Sequence, residues 1–270
     1  MPDFTQPTVF WSTALFLFCG IFGRYALFAA LFYWVFKVSY REEFASREVQ
    51  VRPRRDGQTR REIGWSLVTS LIFTAAGMGL VLAWQAGYTR IYLDVTEHSW
   101  LWYGFSIALV LFLHETYYYW LHRWMHHPGV YRGVHKTHHD SITTSAWTSF
   151  SFHPVESVLQ ALFIPLMTLI IPLHISALGL ILMIMTTTSA INHLNTEIYP
   201  RDFNQHWLGR WLIGATHHSL HHSQFRFNYG LYFTFWDKWM GTESPDFPAL
   251  FRRKTSSGEA SQPKQKDPVA

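Results

Sequence analysis

The chain has 270 residues, a formal net charge of +4, and 49% hydrophobic and 18% aromatic residues. That apolar content is high for a soluble domain and puts the membrane class first. The basic residues gather at 41–62 and 252–266, outside any nucleic-acid-binding motif, so no nucleic-acid partner is expected, and a single cysteine, Cys19, excludes a disulfide framework and a thiolate zinc site.

Residues 8–40 are apolar apart from Arg24 and Lys37. The run exceeds the roughly 20 residues that one span needs, so it predicts one tilted helix or two short ones hinged near Cys19 and Gly20. It lacks the basic start and small-x-small site of a cleavable leader. Residues 41–62 carry seven arginines against five acids, and the positive-inside rule places them in the cytoplasm. Residues 63–86 then form an uncharged span leading out to a short loop at 87–98. From Ser99 the next span returns and meets His114 and Glu115 near its inner end. Between 157 and 192 lie 36 residues without Asp, Glu, Lys or Arg, interrupted by Pro165, Pro172 and Gly179, which suits a hairpin of two short or re-entrant helices.

An even number of crossings brings all the histidine groups to the cytoplasmic side. The expected fold is all-α: a polytopic membrane helical bundle of about four to six membrane helices, with a cytoplasmic histidine-rich helical cap. Its parts are N-terminal membrane helices with a basic loop (1–98), a histidine-rich region containing the membrane hairpin (99–250), and a disordered polar tail (251–270).

The chain has sixteen histidines, and their spacing carries the information. His122 and His126 are four apart and extend a ladder with His114 and Tyr118 on one side of a helix. His135, His138 and His139, in "HKTHH", have the spacing i, i+3, i+4, which groups them on one helical face. His218, His221 and His222, in "HSLHH", repeat it, and His193 supplies a ninth candidate. Nine nitrogens exceed what one tetrahedral zinc takes and suit a two-metal centre.

A lone histidine on an apolar face is usually packed and hydrogen-bonded, and His98, His174 and His206 read that way. His114, His153 and His217 read as supporting groups ahead of direct ligands, with Glu115, Glu156, Glu197 and Asp140 as carboxylates able to orient ligand rings. The clusters differ from these, because unpaired imidazoles packed together near a membrane are costly and repel one another when protonated. Metal binding relieves that cost. Imidazole suits zinc, copper, nickel and iron alike, so spacing leaves the metal open. A zinc-protease motif at "HETYY" is rejected because Tyr118 stands where its second histidine belongs.

At the three boxes "HRWMH", "HKTHH" and "HSLHH" the sequence resembles the fatty acid hydroxylase/sterol desaturase superfamily of membrane non-haem di-iron enzymes. The flanks "YYWLHR", "FHPVE" and "NYGLYFTFWDKWMGT" match as well, over about 110 to 242. The resemblance implies that His122, His126, His135, His138, His139, His218, His221 and His222 hold two irons, with His193 in place of the family's intermediate histidine. Where some relatives carry a further histidine this chain has Glu197, which is left open as a ligand, a supporting base or neither. Glu115 replaces a more usual Asp.

The resemblance further implies O2 as co-substrate and a lipid substrate from the bilayer. With no fused haem motif, it implies electrons from a separate cytochrome b5-like or ferredoxin-like protein and its reductase. The leading expectation is hydroxylation of a lipid C–H bond, whether of a sterol, hopanoid, carotenoid, fatty acyl chain or aminolipid. Desaturation at the same centre is the close alternative, and a membrane metal or haem-binding carrier is the alternative from another class. Without a di-lysine or KDEL-like signal, a bacterial cell membrane is the expected location.

Overall fold

The structure, a computed structural model, describes residues 2–256. Helix α1 (Pro7–Tyr33) starts on a proline at its first turn and runs on through a π-helical segment, Trp34–Ser39. Residues 8–40 are therefore one helical rod rather than two hinged pieces. A four-residue turn, α2 (Arg41–Phe44), leads into the basic loop and then α3 (Gln58–Gln85). Ser99 caps α4 (Trp100–Met125), its hydroxyl accepting from Trp102 N at 3.2 Å.

Short helices α5 (Pro128–Val134) and α6 (Lys136–His139) carry the chain across the cap. The apolar hairpin is a broken arm, α7 (Pro154–Ala161) and α8 (Phe163–Ile170), followed by the continuous α9 (Ile175–His193). Strand β1 (Ile91–Tyr92) pairs in parallel with β2 (Leu173–His174) and ties the outer loop to the hairpin tip. The cap closes with α10 (Ala215–Gln224), α11 (Phe235–Trp239) and α12 (Phe247–Thr255).

This is an all-α membrane bundle. Three of its helices, α1 with its extension, α3 and α9, are long and apolar enough to cross a bilayer. The 26-residue α4 and the broken α7–α8 arm complete the packing around them. The tail expected from residue 251 is corrected in its first part. Residues 251–255 finish α12, and Phe251 is buried against Leu220 and Phe247; residues 257–270 lie outside the described residues.

The burial pattern is that of a protein in lipid. Along α3 the buried positions are Gln58, Glu62, Ser66, Thr69, Ser70, Thr74 and Met78, while Leu67 and Leu71 face outward. Polar and small groups thus form the inner seam of a helix whose outer face is apolar. Ser66, Ser70 and Thr74 return their hydroxyls to carbonyls one turn back, and Thr69 Oγ1 meets Ser157 Oγ across the α3–α7 interface at 2.9 Å. Exposed Trp11, Phe16, Leu71 and Leu101 belong to the apolar band around the bundle.

The inner end of α3 carries a buried carboxylate, Glu62. It accepts from Gln58 Nε2 (2.7 Å), Ser141 Oγ (2.8 Å), Thr148 Oγ1 (2.8 Å) and Arg54 Nη2 (2.5 Å). Those donors pin residues 141–148, the segment that follows the second histidine box, onto a membrane helix. Truncating one member of such a buried network strands the others. Glu62→Ala should therefore destabilise the protein by about 3 kcal/mol and Glu62→Gln by about 1 kcal/mol, read as thermal unfolding of detergent-solubilised protein. Equal melting of Glu62→Ala and wild type would show that the carboxylate does not anchor the cap.

Candidate metal centre

The cap brings all nine candidate histidines together, in two adjacent groups. His122, His126, His135, His139 and His221 form one, and His138, His193, His218 and His222 the other, with the ligand atoms of each group within 4.8 Å of one another. The two meet where the rings of His139 and His222 stack, their centroids 4.5 Å apart.

The grouping keeps His122 and His126 together but divides the second and third boxes between the two groups. Helix α6 is only four residues long and His135 sits at its N-cap. His135 and His139 consequently join one group, while the neighbouring His138 turns to the other. The third box divides in the same way: His221 belongs with the first group, His218 and His222 with the second.

Backbone carbonyls set the rings. Nδ1 of His122 donates to Tyr229 O (2.8 Å), that of His221 to Phe227 O (2.7 Å), that of His193 to Ser189 O (2.7 Å) and that of His138 to Ser151 O (3.3 Å). A carbonyl has no proton to give, so each of these nitrogens carries the ring N–H, and Nε2 of the neutral ring is left with a lone pair. Yet His138 Nε2 lies 3.2 Å from His193 Nε2, which lies 2.9 Å from His218 Nε2. In the other group His221 Nε2 is 3.0 Å from His139 Nε2 and 3.1 Å from His126 Nε2.

Between His138 and His193 two lone pairs face each other with no proton between them, which is repulsive unless a cation stands there. Protonation is a poor answer to that repulsion. Burial first, and then the neighbouring imidazoles, hold His135, His138, His139, His218, His221 and His222 well below the usual histidine range. The donor set therefore fits a metal bound by several neutral imidazoles.

Loops hold the carbonyls in place. Glu115 accepts from the backbone N–H of Leu231 (3.0 Å) and Tyr232 (2.7 Å), and Asp237 from those of Tyr229 and Gly230, both at 2.9 Å. A Cβ on Gly230 would stand 2.9 Å from Glu115 Oε1 and 2.7 Å from Phe233 O, so only glycine lets the loop approach this closely. Phe225 and Asn228, both with left-handed φ, turn Phe227 O back toward His221. His114 Nδ1 meets Tyr232 Oη at 2.6 Å and supports the same loop. Glu156 Oε2 lies 2.9 Å from His135 Nδ1, within ion-pair distance but off the line of a hydrogen bond.

The other expected supports do not reach the centre. His153 caps α7 by accepting from Val155 N, as His174 caps α9. Glu197 accepts from Tyr199 N and Thr216 N and so fastens the start of α10; it is not among the grouped ligands. His217 packs on Phe247, and burial pushes it down to about 3. Asp140 pairs with exposed Lys136. Spacing alone missed Asp237, Glu62 and the four carbonyls.

Beside the centre opens a cavity of about 470 Å³ among α1, α3, α4, α8 and α9, lined mainly by apolar side chains. His193, His114 and Tyr118 line its inner end, while Phe4, Trp84 and Leu93 lie toward the outer one. One candidate ligand thus borders a space shaped for an apolar molecule.

The fatty acid hydroxylase family profile matches residues 107–242. The chain is 28% identical over 225 residues to Delta(7)-sterol 5(6)-desaturase ERG3B of Gibberella zeae, covering 83% of this chain and 68% of that protein. It is 30% identical over 248 residues to Delta(7)-sterol 5(6)-desaturase erg3C of Aspergillus fumigatus, covering 86% and 75%. It is 32% identical over 185 residues to lathosterol oxidase of Mus musculus, covering 67% of this chain and 60% of that protein. No solved structure matches the chain. The matched region contains all three histidine boxes, His193 and the Tyr229–Phe233 loop that supports them, and the chain belongs to the fatty acid hydroxylase family.

Proposed function

We propose that this protein is an iron-dependent, O2-consuming membrane oxidoreductase that introduces a double bond into a sterol-like lipid. The observation that carries the reading is the pair of imidazole groups whose unprotonated nitrogens face one another beside a mainly apolar cavity, with His193 of the second group lining it. Three relatives are named as sterol 5(6)-desaturases or lathosterol oxidase, which favours desaturation over the hydroxylation expected first from the sequence.

In this reading His122, His126, His135, His139 and His221 hold one iron, and His138, His193, His218 and His222 a second. Bound iron supplies the means to activate O2 and remove hydrogen from an unactivated C–H bond. The net reaction removes two hydrogens from adjacent carbons and reduces O2 to two waters, with two further electrons and two protons from a donor system.

The chain's own part is to position and to exclude. The apolar walls at Phe73, Phe150 and Leu182 admit a lipid and keep bulk water from the reacting carbons. The Nδ1–H bonds to Tyr229, Phe227, Ser189 and Ser151 fix the rings so that they need not reorganise. The arginine-rich loop 41–62 supports a cytoplasmic cap. Relatives from Gibberella, Aspergillus and mouse lend nothing to the bacterial location expected from the sequence. Exposed Arg123, Arg132, Lys136 and Arg226 lie within or a few residues from the three histidine boxes in sequence, and such basic residues suit an acidic electron-transfer protein.

Incubation with a 7-unsaturated sterol, O2 and a reduced donor should give a product lighter by two hydrogens in mass spectrometry; a product heavier by one oxygen would return the reading to hydroxylation. Metal analysis should find about two irons per chain, and His193→Ala or His138→Ala about one, with the remaining group intact. Unchanged iron in both variants would remove the four-histidine group from the metal site.

The depressed histidines also set a pH dependence. A group that the folded state keeps unprotonated favours folding above its unfolded value of about 6.5, and that stability is lost as pH falls below it toward the depressed folded value. Metal-free protein should therefore melt at progressively lower temperature from about pH 6.5 downward, and a flat profile between pH 7 and pH 5 would contradict the burial of unprotonated rings.

A further inference from the structure

Among the residues lining the large cavity, Arg24 is the only lysine or arginine. Its Nε is buried without a hydrogen-bond partner, and no carboxylate of the described residues pairs with it. A guanidinium within a membrane helix is costly and normally finds a carbonyl, a carboxylate or the lipid–water interface. Here it borders a chamber lined mainly by apolar side chains, so the chamber's occupant is a partner available to it.

Its depth is fixed by its neighbours. Tyr25, the next residue, donates its hydroxyl to Trp147 O (2.9 Å) and packs with Ala190 and Leu194, on either side of His193. Ser189 and Ser149 line the same cavity. Ser189 Oγ donates to Ser149 O (3.3 Å), and Ser189 O holds His193 Nδ1 (2.7 Å). Arg24 therefore belongs to the metal end of the chamber. The far end lies near Phe4, whose N–H donates to Gln85 at the outer end of α3.

We propose that Arg24 determines specificity by donating hydrogen bonds to an oxygen that the lipid carries close to its oxidised carbon. This inference rests on the lipid-oxidising function proposed above. An apolar chamber lets a lipid slide along its length at little cost, because apolar contacts carry no direction. One charge-assisted hydrogen bond removes that freedom, and discriminates strongly because a substrate without the oxygen leaves the guanidinium unpaired. The polar end then seats beside His193, and the apolar remainder runs toward Trp84 and Leu93. A hydroxyl on a ring carbon two bonds from the reacting carbon meets this requirement.

The test uses the full, metal-loaded chain in phosphatidylcholine nanodiscs and reads equilibrium binding of two matched pairs: a 3-hydroxysterol with its 3-deoxy counterpart, and a long-chain alcohol with the alkane of equal length. Wild type should prefer the hydroxylated member by about tenfold or more. Arg24→Met should bring the ratio near one without weakening the deoxy partner, and Arg24→Lys should keep part of it. If Arg24→Met does not accumulate, Arg24→Gln makes the same comparison, with at least a severalfold fall in the ratio expected.

A wild-type chain that discriminates in neither pair, or a neutral variant with an undiminished ratio, overturns the proposal. Discrimination of the alcohol without binding of either sterol overturns the sterol assignment instead and leaves Arg24 in its role. Phosphatidylcholine surrounds every variant equally, so a guanidinium engaged only with a headgroup phosphate would give an unchanged ratio and count against the proposal.

Discussion

The structure depends on imidazole nitrogens held facing one another in the dry interior of the cap. Each ring is neutral, each of the four best-defined Nδ1 protons is committed to a carbonyl, and the opposing Nε2 atoms stand about 3 Å apart. Such an arrangement is repulsive in itself. The surrounding fold over-determines the ring positions, and a bound cation would convert the repulsion into ligation.

The over-determination comes from buried carboxylates that bond to the protein rather than to a metal. Glu115 and Asp237 gather the N–H groups of the Tyr229–Phe233 loop, and Glu62 gathers hydroxyls from the segment after the second box. Two of the three sit on long helices, α4 and α3, so the cap is fastened to the membrane bundle by buried polar contacts. The metal groups consequently keep a fixed relation to the cavity between those helices. A cavity of fixed shape and a rigid centre are two consequences of the same helix packing.

The sequence made much of this legible. The i, i+4 spacing of His122 and His126 on a continuous helix placed them together, and the absence of charge over 157–192 marked the hairpin. Glu115 and His114, read from the sequence as supports, both hydrogen-bond to residues of the Tyr229–Phe233 loop. The division of labour within "HKTHH" was not legible because periodicity assumes a helix longer than one turn and α6 has four residues; that within "HSLHH", inside the ten-residue α10, was not legible because spacing gives a shared face but not which neighbours that face meets. His153 and Glu197 show a related limit: a polar residue next to a motif serves a helix terminus as readily as a metal, and only its hydrogen-bond partner distinguishes the two.

By itself the sequence determined an all-helical membrane protein and nine imidazoles sufficient for a two-metal centre, since apolar run length, charge bias and histidine count are properties of the chain. Tertiary structure alone decided which nitrogen faces which, because that follows from carbonyls at Tyr229, Phe227, Ser189 and Ser151, groups that every residue possesses and no composition reveals. It also decided that Arg24, one cation in an apolar run, borders the cavity at the metal end. A linear pattern gives a side chain its face on a helix; only packing of that helix against others gives it a neighbour.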